Sequence, residues 1–212
     1  MPKPIITTDD IRAVQPGSVL QIPVGAIITD LARELAETNQ IRLEDKPLSL
    51  SDEATQPADR VPTVALGSDH GPSFPMKEAL KPLLQELGFA VLDCGTHSVD
   101  AVDYPDIAYA VAKQVANGVA WRGIVIDAAG IGSCVAANKV PGIRAALCYN
   151  QAGARNSREH NDANILTLGA AMIDLNLAKQ IVETWLKTDF GGGRHQRRVN
   201  KIIQIEQRFS RG

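Results

Sequence analysis

The chain has 212 residues, a formal net charge of -2, 44% hydrophobic and 22% charged residues, the balance of a globular protein that buries a sizeable core without disulfide or metal staples. The near-neutral charge argues against a generic electrostatic grip on nucleic acid or an anionic membrane, and no apolar run approaches the roughly 20 residues of a membrane span. Cys94, Cys134 and Cys148 lack metal-ligand spacing and read as reduced thiols of a cytoplasmic protein; the start, MPKPIITTDDIRAV, has no charged lead into an apolar core, so no secretory signal is expected.

Residues 1–45 form an N-terminal extension with a pattern of its own. SVLQIP (18–23) suits a strand, DLARELAET (30–38) an amphipathic helix and IRLE (41–44) a short strand. So short a segment is expected to pack on the main body or on a partner. The composition then breaks at DKPLSLSDEATQPADRVP, placing a linker over 46–62. The main domain, 63–212, alternates regularly. Strands are expected at TVALGS (63–68), FAVLDCG (89–95), RGIVIDAAG (122–130), GIRAALC (142–148) and ILTLG (165–169). Between and after them lie a helix ending in LLQELG, capped by Gly88 and kinked or split by Pro82, and helices at 105–118, 132–140, 151–161 and 175–187. Five apolar, β-branched strands separated by helices specify an α/β fold with a parallel sheet covered on both faces.

Ligands of such sheets bind beyond the carboxyl ends of the strands. Those ends carry Gly67-Ser68-Asp69-His70-Gly71, Asp93-Cys94-Gly95-Thr96, Asp127-Ala128-Ala129-Gly130-Ile131-Gly132-Ser133 and Cys148-Tyr149-Asn150. A Gly-x-Gly between strand and helix is either an anion-binding loop or a tight turn. The acidic residue of a dinucleotide fingerprint is missing, which disfavours a nicotinamide site. Glu159-His160-Asn161-Asp162-Ala163-Asn164 crowds polar side chains before the last strand. Gly191-Gly192-Gly193 precedes a basic cluster in which Arg194 and Arg198 share a helical face, either a phosphate clamp or a solvated charged tail.

Taken together, GSDHG, VDYPD, RGIVI followed by GIG, AANKVPGIRAALC, EHNDANILTLGA and GGGRHQRRVNKI resemble the ribose-5-phosphate isomerase B and galactose-6-phosphate isomerase (LacA/LacB) family, from about Val64 to about Gln207. The resemblance implies a doubly wound, Rossmann-like sheet and a homodimer, or a dimer of dimers, whose active site is built from two subunits. It implies aldose–ketose isomerisation of a phosphorylated sugar, a pentose 5-phosphate foremost, through an enediolate and with neither metal nor organic cofactor. By the same resemblance His160 opens the ring with help from Asp69. His70, Arg194 and Arg198 hold phosphate, Asn161 contacts sugar hydroxyls, Tyr104 lines the pocket, and the Gly130-Ile131-Gly132 backbone supplies oxyanion donors.

The departures matter as much. The family's usual cysteine base and the Gly-Thr after it are Asp127, Ala128 and Ala129 here; the glutamate that another branch places after the second glycine is Ser133; a phosphate-binding arginine is replaced within Ala170-Ala171-Met172. Asp127 is therefore either the carboxylate base or a cap on the next helix. Cys134, Trp121 and Trp185 are expected to pack, His97 to be an exposed loop residue and His195 to cap or support the neighbouring arginines. The chain is thus an isomerase with Asp127 in place of the thiol, a catalytically silent sugar-phosphate-binding or assembly protein, or an epimerase on the same scaffold. ITTDDIRAVQPGSVLQIPVGAIITDLARELAE is similar to N-terminal segments of bacterial microcompartment enzymes, which implies a shell partner; packing across the dimer is the other reading.

Overall fold

A computed structural model describes residues 5–6, 8–12, 14–23, 27–46 and 61–209. The chain divides into two compact units, 1–55 and 56–212. In the first, β1 (Ile5–Ile6), α1 (Thr8–Arg12), β2 (Val19–Pro23), β3 (Ile27–Ile28), α2 (Asp30–Thr38) and β4 (Arg42–Lys46) follow one another. β1 pairs with β3 and β2 with β4, both in parallel. The Thr29 hydroxyl accepts the N–H of Ala32 and so caps α2. Alanines at 32 and 36, one turn apart on that helix, bury against Ile11 and Ile41, giving the unit a small core of its own. The expected strand at 18–23 and helix at 30–38 are present, while β4 runs on through Lys46, the first residue assigned to the linker. Within that linker, residues 47–60 lie outside the described residues.

The second unit is the α/β fold. Its elements are β5 (Thr63–Ser68), α3 (Ser73–Glu86), β6 (Ala90–Asp93), α4 (Tyr104–Ala116), β7 (Arg122–Asp127), α5 (Ile131–Ala137), β8 (Ala145–Leu147), α6 (Gln151–Asn161), β9 (Ile165–Gly169), α7 (Leu175–Lys187) and α8 (Gly193–Phe209). The five strands are all parallel, in the order β6-β5-β7-β9-β8. The doubly wound, Rossmann-like sheet expected from the sequence is therefore present. Period-two alternation distributes the strand residues between two cores. Val64, Leu66, Ile124, Ile126, Leu166 and Leu168 face α3 and α7, with Trp185 fully buried among them. Ala65, Val125 and Ile165 face Ala108, Val111 and Ala112 of α4.

Two local expectations change. The helix ending at Gly88 is not split at Pro82: α3 runs unbroken through it. Pro82 lies on the exposed face, where a carbonyl deprived of its helical donor can turn to water. The strand read over 122–130 stops at Asp127, because Gly130 takes φ +78°, outside any strand conformation.

Candidate active site

The chain passes from β5 to β6 on one side and to β7 on the other, so the sheet's winding reverses between β5 and β7. In doubly wound sheets ligands bind beyond the strand ends at such a reversal, and Asp69, His70 and the loop 127–133 follow the ends of β5 and β7. The Asp69 N–H continues the ladder onto Ile126 O at 3.0 Å, which sets the Asp69 side chain beside the end of β7. Asp69 is 8% exposed and its Oδ1 is buried without a hydrogen-bond partner. Burial pushes its carboxyl above the ordinary aspartate value; the nearby Ser73 hydroxyl pulls it down, while the charge of Asp127 adds to the rise. His70 is exposed, its Nδ1 receiving the Val102 N–H at 3.3 Å.

Asp127 is occupied otherwise. Its Oδ1 accepts the N–H groups of Ala129, at 2.8 Å, and of Gly130; its Oδ2 accepts that of Ser133 at 2.8 Å. Through these bonds the carboxylate folds its loop around itself at the start of α5. Two further contacts tighten that loop. Gly130 lies so close to Leu168 that a Cβ would meet the Leu168 carbonyl carbon at 2.8 Å, and a Cβ on Gly132 would meet the Tyr104 ring at 2.5 Å. Tyr104 thus closes over the loop. Gly130 N–H, one of the three expected oxyanion donors, is spent on Asp127; those of Ile131 and Gly132 have no acceptor among the described residues.

The other candidate residues gather elsewhere. α6 runs back from the end of β8, so that His160 and Asn161 arrive just before β9 begins. Asn164 O accepts the N–H of Gly123 at 3.0 Å, at the start of β7. The Gly191 N–H bonds to Glu159 O at 2.9 Å, bringing the head of α8 to the same place. There the rings of His160 and His195 stack at 4.1 Å and 6°. Asn156 Nδ2 lies 2.8 Å from His160 Nδ1, and Arg194 Nε lies 3.4 Å from His195 Nε2. Desolvation, together with His160, Arg194 and Arg198, holds His195 below the ordinary histidine value. Arg194, Arg198 and Asn161 are exposed. Within one chain the candidates therefore form two groups, separated by the length of β7, roughly 17 Å at about 3.3 Å per residue.

The motif before β9 divides in two. Asp162 takes φ +48° and is held by Arg144 at 2.9 Å and Arg158 at 2.7 Å, while the Asn164 side chain bonds to Arg144 N and Gly142 O. These residues build the turn that presents His160 and Asn161. Sequence reasoning passed over Lys77, which is fully buried: its Nζ donates to both Asp93 oxygens at 2.9 Å and to Thr96 O at 2.5 Å. Gly95 and Thr96 in turn bond to Ser68 at 2.8 and 2.7 Å, so Lys77 braces the loop beside Asp69. Its position among Met76, Leu80 and Leu84, on the buried face of α3, was the available signal. Among the described residues no cluster of histidine, cysteine or carboxylate side chains could hold a metal, the cysteines are free, and no helix is long and apolar enough to cross a membrane.

A family model described as Ribose/Galactose Isomerase matches residues 64–202. Ribose-5-phosphate isomerase B of Escherichia coli is 46% identical over 145 residues, covering 68% of this chain and 97% of its own. A D-erythrulose-4-phosphate isomerase of Pectobacterium atrosepticum is 38% identical over 148 residues, covering 68% of this chain and 95% of its own. Among solved structures, ribose-5-phosphate isomerase B of Clostridium thermocellum superposes with a TM-score of 0.68 at 52% identity, covering 70% of this chain and 99% of that one.

Proposed function

This chain belongs to the Ribose/Galactose Isomerase family and is an isomerase, and we propose that it interconverts the aldose and ketose forms of a pentose 5-phosphate through an enediolate. The relatives act on sugar phosphates by name. The observation that carries the reading is the pairing of a buried, raised carboxyl, Asp69, with an adjacent helix start whose Ile131 and Gly132 N–H groups are open. One moves a proton and the other receives charge developing on oxygen.

The second group of residues supplies the rest. His160 opens the sugar ring, Asn161 meets the hydroxyls, and Arg194 and Arg198 hold the phosphate together with His70. Since a strand's length separates these from Asp69 in one chain, the complete site takes Asp69, His70, Tyr104 and the 127–133 loop from one subunit and His160, Asn161, Arg194 and Arg198 from a second copy. The reaction needs no metal or organic cofactor: aspartate and histidine move the protons, and the backbone donors stabilise the charge on oxygen. The protein works in the cytoplasm, and its first unit either guides it into a microcompartment shell or packs across the dimer.

Proton NMR of the protein in D2O with ribose 5-phosphate tests the reaction. The expected result is a ketose product carrying deuterium at C1 from the solvent. A protein that binds the sugar without forming product is the silent binding or assembly protein instead, and an epimer in place of the ketose identifies the epimerase.

A further inference from the structure

We infer that Asp69, and not Asp127, carries the proton between the two carbons of the substrate. The inference rests on the isomerase reading above and assigns within it the step that the missing thiol would have performed. Two carboxylates stand at the reversal point of the sheet, and their surroundings set them apart. Both oxygens of Asp127 accept backbone N–H groups, three in all. A proton placed on either oxygen would break the loop that presents Ile131 and Gly132. Asp69 has a free oxygen: Oδ1 is buried and unpartnered, in a side chain whose backbone is fixed to β7 through Ile126. Burial and the charge of Asp127 both favour its protonated form, as suits a group that must accept a proton from carbon and give it back.

The step balances as follows. In the ketose, Asp69 Oδ1 takes a proton from C1. The C–H electron pair becomes the C1–C2 double bond, and the carbonyl pair at C2 moves onto oxygen, which faces the open backbone donors. Protonated Asp69 then delivers its proton to C2 while the C1 hydroxyl proton passes to the C2 oxygen, leaving the aldose and a regenerated carboxylate. Asp127 acts as a positioning residue: its carboxyl holds the donor loop through three backbone N–H groups.

Ribulose 5-phosphate isolates this step, because the hydroxyl that would close a five-membered ring onto C2 carries the phosphate, so ring opening drops out. The full-length protein and its Asp69→Asn, Asp69→Ala and Asp127→Asn variants are incubated with ribulose 5-phosphate in D2O, and loss of the C1 proton signal is followed. Circular dichroism checks folding, and a rise in melting temperature on adding the sugar checks binding. The expected outcome is exchange in the parent protein, a loss of roughly a thousandfold in both Asp69 variants, and partial recovery of Asp69→Ala with added formate. Asp127→Asn, with its loop loosened, should retain exchange within about a hundredfold of the parent. Exchange by Asp69→Asn within tenfold of the parent overturns the assignment, as does loss in Asp127→Asn to the level of Asp69→Asn while it stays folded and sugar-bound. Should Asp69→Asn misfold, formate rescue of Asp69→Ala decides the matter; should Asp69→Ala misfold, the exchange rate of Asp69→Asn against the tenfold limit decides it. A parent protein that exchanges neither ribulose 5-phosphate nor erythrulose 4-phosphate overturns the isomerase reading itself, an outcome distinct from either of these.

Discussion

Three aspartates at the carboxyl ends of neighbouring strands have three fates, set by what surrounds each. Asp69 is buried beside another carboxylate and rises; Asp127 is wrapped in backbone donors. Asp93 would also be pushed up by burial, but hydrogen bonds from Lys77, Lys81 and the Gly95 N–H outweigh it and hold the carboxyl down at about 2. The sign of the pH dependence follows. A carboxyl lowered by folding stabilises the protein above its unfolded value of about 3.9, and that contribution is lost as pH falls from there through about 2. Asp93→Asn should therefore lower the melting temperature at pH 7, and the gap to the parent should narrow markedly at pH 3. A gap of equal size at both pH values would mean that the ion pair does not brace the loop. The sequence offered a cap as one of two readings for Asp127, but it could not tell the fates of Asp69 and Asp93, which look like any aspartate closing an apolar strand. The partners of the three, Ser73, Lys77 and the backbone of residues 129–133, are fixed only once helices and loops are packed.

Elements were far more legible than partners. The sequence reading located β5, α6, β9 and α7 to the residue, and Asn150 and Asp174 mark where the two helices begin by capping them. The loop after β7 was less so. There the strand-like run RGIVIDAAG continues in sequence, but a left-handed glycine ends the strand. Gly130→Ala is expected to cost about 1–2 kcal/mol from the backbone alone, with the contact against Leu168 adding to it. Measured by urea denaturation, it should destabilise more than Ala129→Gly. It should also slow turnover, since the displaced loop carries the Ile131 and Gly132 donors. A stable Gly130→Ala protein with full activity would show that this loop tolerates the shift and does not set the site's geometry.

At the scale of the whole molecule, the motifs identified the candidate residues, and their places, GSDHG after its strand and EHNDAN before the last one, already put them at opposite ends of a parallel sheet. What the sequence left out is how the head of α8 joins EHNDAN, through the Gly191 N–H on Glu159 O and the stacked His160 and His195 rings. A site shared between two copies makes a definite prediction. Asp69→Asn and His160→Gln should each be inactive alone, and mixing them under conditions that exchange subunits should restore about a quarter of the parent activity per chain, because one of the two sites in each mixed pair receives both intact groups and half of all pairs are mixed. No recovery on mixing, with exchange of subunits verified, would place both groups in one chain's site. The stacked His160 and His195 rings belong to the second group of that proposal. On the shared-site proposal, a newly made chain exposes half of a reaction centre at each end of its sheet and is inert toward the sugar until it meets its like. Enediolate chemistry, with its hazard of side reactions from a half-protected intermediate, would then begin only after assembly, and turnover per chain would obey the law of mass action.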